Sequence, residues 1–223
     1  MRSVRAELWW LAAALALIIV LARYTPLDHA LTGVFYDPAT RTFPLKDQAI
    51  WAVTLHAGLK YLSLSIWLAL LIAWLVFRHH PAWRRYRAAA GFTLLAAPLA
   101  ALAVSSLRAL SAHSCPWDLS LFGGTADYFR FFDPVPLHPG PGRCAPSGHA
   151  AAGFAWLAGY IALRDVDRRA ARIVLAFSLT LGILAGLTQL ARGAHFFSHV
   201  LLTAWICFVV TWTCDKLRRV VVS

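Results

Sequence analysis

The stretch Ala88–Leu107, which reads AAAGFTLLAAPLAALAVSSL, decides the fold class of this chain. It contains no charged residue, and arginines stand directly outside both of its ends, at Arg87 and Arg108. An α-helix of about 20 residues, rising 1.5 Å per residue, crosses the ~30 Å hydrocarbon core of a bilayer. The stretch therefore predicts a transmembrane helix.

Similar apolar runs recur along the chain. Of its 223 residues, 60% are hydrophobic and 14% are charged, which is too little polar surface to cover a soluble globule of this size. We expect one all-α integral-membrane domain over residues 1–223. Its six predicted transmembrane helices lie at about 8–23, 61–77, 88–107, 148–163, 173–190 and 198–214. The segment 46–60, which contains His56 and Lys60, is predicted to lie at the membrane interface.

The basic residues fix the predicted orientation of this six-helix bundle. With both termini cytoplasmic, most of them fall on the inner side, as the positive-inside rule requires. They are Arg2, Arg5, Arg78, Arg84, Arg85, Arg87, Arg164, Arg168, Arg169, Arg172, Lys216, Arg218 and Arg219. The formal net charge of +11 is spread over short segments without a recognisable binding module, so we expect the lipid bilayer as a partner and no nucleic acid.

The longest segment outside the predicted helices is the outer loop, residues 111–146, and a loop of this length is usually functional. It contains Cys115 and Cys144, which would form a disulfide in an oxidising compartment; two unpaired thiols are the alternative. Its aromatic stretch Leu121–Phe132 suits either the shielding of a bound acyl chain or an interface belt without substrate contact.

Two polar clusters stand at the outer ends of predicted helices. One is Pro146-Ser-Gly-His149, and the other is Arg192-Gly-Ala-His-Phe-Phe-Ser-His199. Together with Arg108 they bring arginine and histidine to one membrane depth, which favours a site for an anionic ligand. The start of a helix at Ser147 suits phosphate, although an ordinary capped helix start explains the same residues.

His195 and His199 are four residues apart, which is also the spacing of a metal-binding or haem-linked pair on a helix. Arg192 stands beside them. Because its positive charge repels a cation, the pattern favours an anion over a metal.

The joint order and spacing of these residues resemble the type 2 phosphatidic acid phosphatase (PAP2) superfamily, whose motifs are Lys-x6-Arg-Pro, Pro-Ser-Gly-His and Ser-Arg-x5-His-x3-Asp. Pro146–His149 matches the second motif in full. The first is matched in outline by Arg108, six residues, and then Cys115-Pro116. In the third, Thr188-Gln189 replaces Ser-Arg, His195 occupies the histidine position, and His199 stands where the family has Asp.

The resemblance implies roles for these residues. His195 would be the nucleophile, and His149 would protonate the leaving group and later activate water. His199 and Asp118 are the candidates to replace the family Asp, although Asp118 equally suits a loop cap or a pair with an arginine. The residues expected to bind the substrate phosphate are Arg108, Ser147, Gly148, Arg192 and, in reserve, Arg143. No metal or other cofactor is expected.

By the same resemblance we expect metal-independent hydrolysis of a lipid phosphate or pyrophosphate monoester through a phosphohistidine, at the periplasmic face of a bacterial inner membrane. Candidate substrates are undecaprenyl pyrophosphate, phosphatidylglycerol phosphate, phosphatidic acid and lipid A phosphate. One alternative is a lipid phosphotransferase with a polyprenyl pyrophosphate donor. The other is a non-enzymatic protein that binds or transports lipid phosphate, or holds haem or a metal.

Overall fold

A computed structural model describes residues 4–51 and 57–222, with side chains as far as residue 220, so Arg2 and His56 lie outside the described residues. Within these ranges the chain is helical and has no β-strand. The α-helices are α1 (Val4–Tyr24), α2 (Leu27–Gly33), α3 (Gly58–Phe77), α4 (Arg87–Ala109), α5 (Ala151–Phe154), α6 (Leu157–Leu163), α7 (Arg168–Ala191) and α8 (Phe197–Val222).

Five of these helices, α1, α3, α4, α7 and α8, are long and apolar enough to cross a membrane, which is compatible with a multi-pass membrane protein. The predicted span 148–163 is shorter than expected. Its helical part is interrupted between α5 and α6, and Ala151–Leu163 covers only about 20 Å at 1.5 Å per residue. Gly153 and Gly159 lower the helical propensity of this segment. A count of six spans therefore remains a prediction.

Small residues bring the central helices close together. Ala96 and Ala100 of α4 pack with Ala158 of α6 and with Cys207 of α8 in the buried core. A Cβ added at Gly153 would lie 2.0 Å from the main-chain nitrogen of Gly182, so α5 and α7 touch through their backbones. Close backbone approach of this kind is what associates helices in lipid, where apolar burial gives no driving force.

One end of the bundle is held by ion pairs. The carboxylate of Asp215 in α8 is fully buried and accepts hydrogen bonds from Arg164, Arg218 and Arg219. Lys216 pairs with Glu7 of α1, so the two described chain ends lie at this end. Arg164, at the end of α6, therefore joins that helix to α8, and Arg219 of α8 also pairs with Asp165 just beyond α6.

At the opposite end, an aromatic cap covers the junction of α4, α5, α7 and α8. We define the aromatic cap as the packed rings of Tyr36, Phe43, Phe122, Tyr128 and Phe196. Phe122 is therefore a packing residue of the outer loop, rather than part of an acyl-chain shield or an interface belt. Among the aromatic side chains of Leu121–Phe132, only that of Phe132 is strongly exposed, at 78%.

Candidate active site

His195 lies in the tight turn that joins α7 to α8. Gly193 ends α7 with φ +72°, a conformation that favours glycine, and a Cβ there would lie 2.5 Å from the ring of Phe43. The Gly193 carbonyl accepts a hydrogen bond from the main-chain nitrogen of Trp117 at 3.0 Å. The turn is thus held from both sides, and His195 is only 3% exposed.

The imidazole of His195 is oriented by a main-chain carbonyl. Its Nδ1 lies 2.7 Å from the carbonyl oxygen of Cys144. Because a carbonyl only accepts hydrogen bonds, Nδ1 must carry the proton, and in the neutral ring the lone pair is then on Nε2. Nε2 is therefore the ring atom with a lone pair for a ligand.

A disulfide fixes this carbonyl. Cys115 and Cys144 are bonded, with their Cα atoms 5.1 Å apart, and the main-chain nitrogen of Cys144 donates to the His113 carbonyl at 3.0 Å. The bond joins the segment after α4 to the segment before α5. The two segments that match the first and second motifs are thereby held together.

Two other histidine rings lie beside His195. The ring centroid of His195 lies 6.4 Å from that of His149 and 6.0 Å from that of His199. The fully buried Ser147 donates its main-chain N–H to the His199 carbonyl at 3.2 Å. Within the described part of the chain, the Ser147 hydroxyl and His199 Nδ1 have no hydrogen-bond partner. Buried polar atoms of this kind are rare in native structures and favour a bound ligand.

Arg108, at the end of α4, reaches the segment that contains Gly148 and His149. Its Nε donates to the carbonyl of Arg143 at 2.8 Å. A Cβ added at Gly148 would lie 3.5 Å from Cδ and Nη1 of Arg108, so the guanidinium lies against Gly148. With Nε held by the main chain, the Nη groups are the donors available to a phosphate. Arg143 itself contributes its carbonyl, while its side chain is exposed.

Arg192 contacts the other side of the His195 turn. Its Nε donates to the Lys46 carbonyl at 2.9 Å, and its Nη1 lies 3.4 Å from Oε1 of Gln189. Burial lowers the pKa of Arg192, and the charge of Asp47 opposes this shift. These contacts give Arg192 a role in anchoring the segment near Lys46, and its predicted contact with phosphate stays a prediction.

Asp118 follows the disulfide by three residues and holds a loop turn. Its carbonyl accepts the main-chain N–H groups of Thr125 and Ala126. Burial raises the pKa of the Asp118 carboxyl, while the Trp117 side chain and the charge of Lys46 lower it. The described neighbours of this carboxyl thus lie on the Lys46 side of the turn, and the expected role beside His195 stays a prediction.

Asp28 is a site residue that the sequence did not reveal. It lies in α2, is 6% exposed, and accepts hydrogen bonds from the main-chain nitrogen of Ser198, at 2.8 Å, and from the Ser198 hydroxyl. It therefore caps the start of α8 beside His199. Burial raises the pKa of the Asp28 carboxyl. No local pattern marks this residue, because it is 170 positions away from the helix that it caps.

A cleft of about 520 Å³ lies between α3, α4 and α5, and His149 is the one of the three histidines that lines it. Arg108, Gly148 and His149 line its polar end. Its walls are mainly apolar and include Leu64, Trp67, Ala97, Pro98 and Ala101. We call this the α3–α4 cleft. Lys60, expected to be an interfacial cation, lies at its edge.

The chain was compared with families, curated proteins and solved structures. The model of the PAP2 superfamily matches residues 88–220, which include all three motif regions. No curated protein and no solved structure matches the chain. The family match covers more than half of the sequence and agrees with the resemblance carried by Arg108, Pro146–His149 and His195. The chain therefore belongs to the PAP2 superfamily, which implies a phosphatase-type hydrolase acting on phosphate esters.

Proposed function

We propose that this protein removes a terminal phosphate from a lipid phosphate or pyrophosphate in the membrane. The observation that carries the proposal is the two-part lining of the α3–α4 cleft, which is polar at Arg108 and His149 and mainly apolar beyond them. A cleft of this kind suits a phosphorylated headgroup with a hydrocarbon chain better than a fully soluble ester.

In the first step, Nε2 of His195 attacks phosphorus, and the bond from phosphorus to the leaving oxygen breaks. His149, whose ring lies 6.4 Å from that of His195, donates a proton to that oxygen. Arg108 binds non-bridging oxygens, where a lost donor typically costs ~3 kcal/mol of transition-state stabilisation. The Cys144 carbonyl holds the proton on Nδ1 as the ring becomes positively charged.

In the second step, His149 accepts a proton from water, which attacks the phosphohistidine. The bond from phosphorus to nitrogen breaks, inorganic phosphate leaves, and His195 is regenerated. His149 gives up one proton in the first step and regains one from water in the second. The residues of the chain supply every group in this scheme, so we expect no metal requirement.

We further propose that the site faces the periplasm of a bacterial inner membrane and that both termini are cytoplasmic. The support is the distribution of basic residues and the disulfide near the site, since disulfides persist in oxidising compartments. The ion-paired end with Asp215 would then face the cytoplasm.

The test is release of inorganic phosphate by detergent-purified protein from the four candidate lipid phosphates, with and without EDTA. The proposal expects release that resists EDTA and is lost in His195→Ala. Loss of release in EDTA, or unchanged release by His195→Ala, would refute it. If labelled phosphate is found on an added acceptor lipid instead, the protein is a phosphotransferase that uses the same intermediate.

A further inference from the structure

The cysteine that orients the nucleophile is also in contact with it through its sulfur. Cys144 Sγ lies 3.5 Å from His195 Nδ1. One nitrogen of His195, one nitrogen of His199 and the sulfur of Cys144 all lie within 4.8 Å of one another, and the three residues are buried. Tetrahedral zinc bound by imidazole and thiolate holds its ligand atoms about 3.3 to 3.8 Å apart. These atoms are therefore close to zinc-binding geometry.

In the oxidised protein this sulfur is bonded to Cys115 and is not a thiolate. Cys115 is partly exposed, whereas Cys144 is buried. A dithiol reductant can attack the Cys115 sulfur to give a mixed disulfide, with Cys144 leaving as a thiolate beside the imidazole of His195. The second thiol of the reductant then releases Cys115, and the reductant ends as its own disulfide.

We propose that reduction of the Cys115–Cys144 disulfide creates a zinc site whose protein ligands are Cys144, His195 and His199. One thiolate and two imidazoles, with water in the fourth position, form a ligand set that zinc accepts, and the Cys144 thiol loses its proton on binding. The negative charge of the thiolate offsets the nearby charge of Arg192, which disfavours a site built from histidines alone. The Nδ1 atom of His199 is buried and has no hydrogen-bond partner among the described residues, so it is available to bind the metal.

Zinc bound there would stop the reaction. If His195 binds through Nδ1, it must lose the proton that it shares with the Cys144 carbonyl; if it binds through Nε2, it loses the lone pair that attacks phosphorus. The disulfide thus keeps the nucleophile free. This inhibitory consequence rests on the proposed function, but the binding of zinc does not.

The test uses Cys115→Ala, which leaves Cys144 as a free thiol without any reductant. The matched control is the double variant Cys115→Ala/Cys144→Ala, which lacks the same disulfide but offers no thiolate. Both retain Cys207 and Cys214, so those thiols contribute equally. The probe is Co²⁺, which shows a near-ultraviolet charge-transfer band and visible bands when a thiolate binds it tetrahedrally.

We expect this spectrum, at one Co²⁺ per chain, in Cys115→Ala and in wild type treated with a phosphine reductant. We expect no such spectrum in the double variant or in oxidised wild type. Adding His199→Ala to Cys115→Ala should weaken binding by about 10–100-fold or more. Absence of the spectrum from both reduced wild type and Cys115→Ala would overturn the site, whatever the protein hydrolyses.

Phosphate release then tests the inhibition. Zn²⁺ should inhibit Cys115→Ala at about 10–100-fold lower concentration than the double variant. Equal sensitivity of the two variants, in the presence of the Co²⁺ spectrum, would overturn the inhibitory role. If wild type hydrolyses none of the four lipid phosphates but the spectrum appears, the proposed function fails while the metal site stands. A melting curve of each variant checks that the fold survives the loss of the disulfide.

Discussion

At His195, one hydrogen bond determines which nitrogen would attack phosphorus in the proposed mechanism. In the resembled family this bond is made to an Asp that corresponds to His199, whereas here Nδ1 donates to the Cys144 carbonyl. A carbonyl carries only a partial negative charge, so it stabilises an imidazolium less than a carboxylate does. It fixes the tautomer equally well, because it can only accept. The site thus retains the orientation of the nucleophile without the family Asp.

Asp28 gives a prediction about pH. Burial raises the pKa of its carboxyl above 3.8, so the folded protein binds this proton more tightly than the unfolded chain. The stabilisation from this group is therefore complete below pH 3.8 and is lost as the pH rises through the folded pKa. Asp28→Asn should flatten this part of the stability curve, measured as the melting temperature at a series of pH values. Asp127→Asn, which alters a half-exposed carboxylate of the same end, is the control, and an unchanged slope in Asp28→Asn would contradict the assignment.

Substitutions of Arg108 and Arg143 distinguish a side-chain contact with the phosphate from a main-chain contact that holds Arg108. Arg108→Ala should lower kcat/KM by about 100–1000-fold, since it removes the donors expected to meet the phosphate. Arg143→Ala keeps the carbonyl that holds Arg108 Nε, so its effect should be small. Steady-state kinetics with one lipid phosphate compares the two. If Arg143→Ala is as damaging as Arg108→Ala, the phosphate is bound by the Arg143 side chain as well.

The residue pattern was sufficient to predict part of this site. Arg108, His149, His195 and His199 carry recognisable spacings, and the structure brings them to one end of the bundle. No sequence pattern marks the Cys144 carbonyl, because every residue has a main-chain carbonyl. Asp28 was also invisible, since its contact with Ser198 depends on how α2 packs against α8.

Among the helices, α5 and α6 differ most from expectation. The sequence predicts α4 at 88–107 and the structure has Arg87–Ala109, because an uninterrupted apolar run defines a long helix by itself. The run 148–163 is also apolar but forms a short, broken helix packed among α4, α7 and α8. Composition does not distinguish a helix surrounded by lipid from one surrounded by protein. Gly148 and His149, just before α5, line the polar end of the α3–α4 cleft together with Arg108.

Substitutions of two neighbouring serines of α4 test whether the α3–α4 cleft binds a lipid chain. Ser105 lines the α3–α4 cleft, whereas Ser106 is exposed and is not among its lining residues. Ser105→Trp should obstruct a lipid chain and lower turnover of a lipid phosphate relative to a soluble phosphate ester by about tenfold or more. Ser106→Trp adds the same side chain outside the cleft and should leave this ratio unchanged. Equal ratios in the two variants would contradict a lipid substrate bound in the cleft.

Over the whole molecule, the two ends of the bundle have different chemistry. One end has the histidines, the disulfide and the aromatic cap. The other has the buried carboxylate of Asp215 with its three arginines. The sequence places basic residues at the second end by the positive-inside rule, but it does not show that they are paired, because pairing depends on the packing of α6 against α8.

Asp215 gives a prediction about stability. Its side chain is fully buried, so Asp215→Ala would remove the carboxylate that Arg164, Arg218 and Arg219 share and should lower the free energy of unfolding by about 1.5–3 kcal/mol. Asp165, 64% exposed, also pairs with Arg219, and Asp165→Ala should cost ~1 kcal/mol or less. Denaturation in detergent compares the two variants, and phosphate release at low temperature should persist in both. If the two variants lose the same free energy of unfolding, the ion pairs of Asp215 do not hold the end of α6 to α8.

The most direct test of the account is to trap the covalent intermediate. Protein mixed with a lipid phosphate carrying radiolabelled terminal phosphate is quenched rapidly in alkali, where phosphohistidine survives, and the labelled peptide is identified. We expect label on His195 in the wild type and none in His195→Ala. Hydrolysis of the lipid by His195→Ala, or label on any other residue, would contradict the assignment of His195 as the nucleophile.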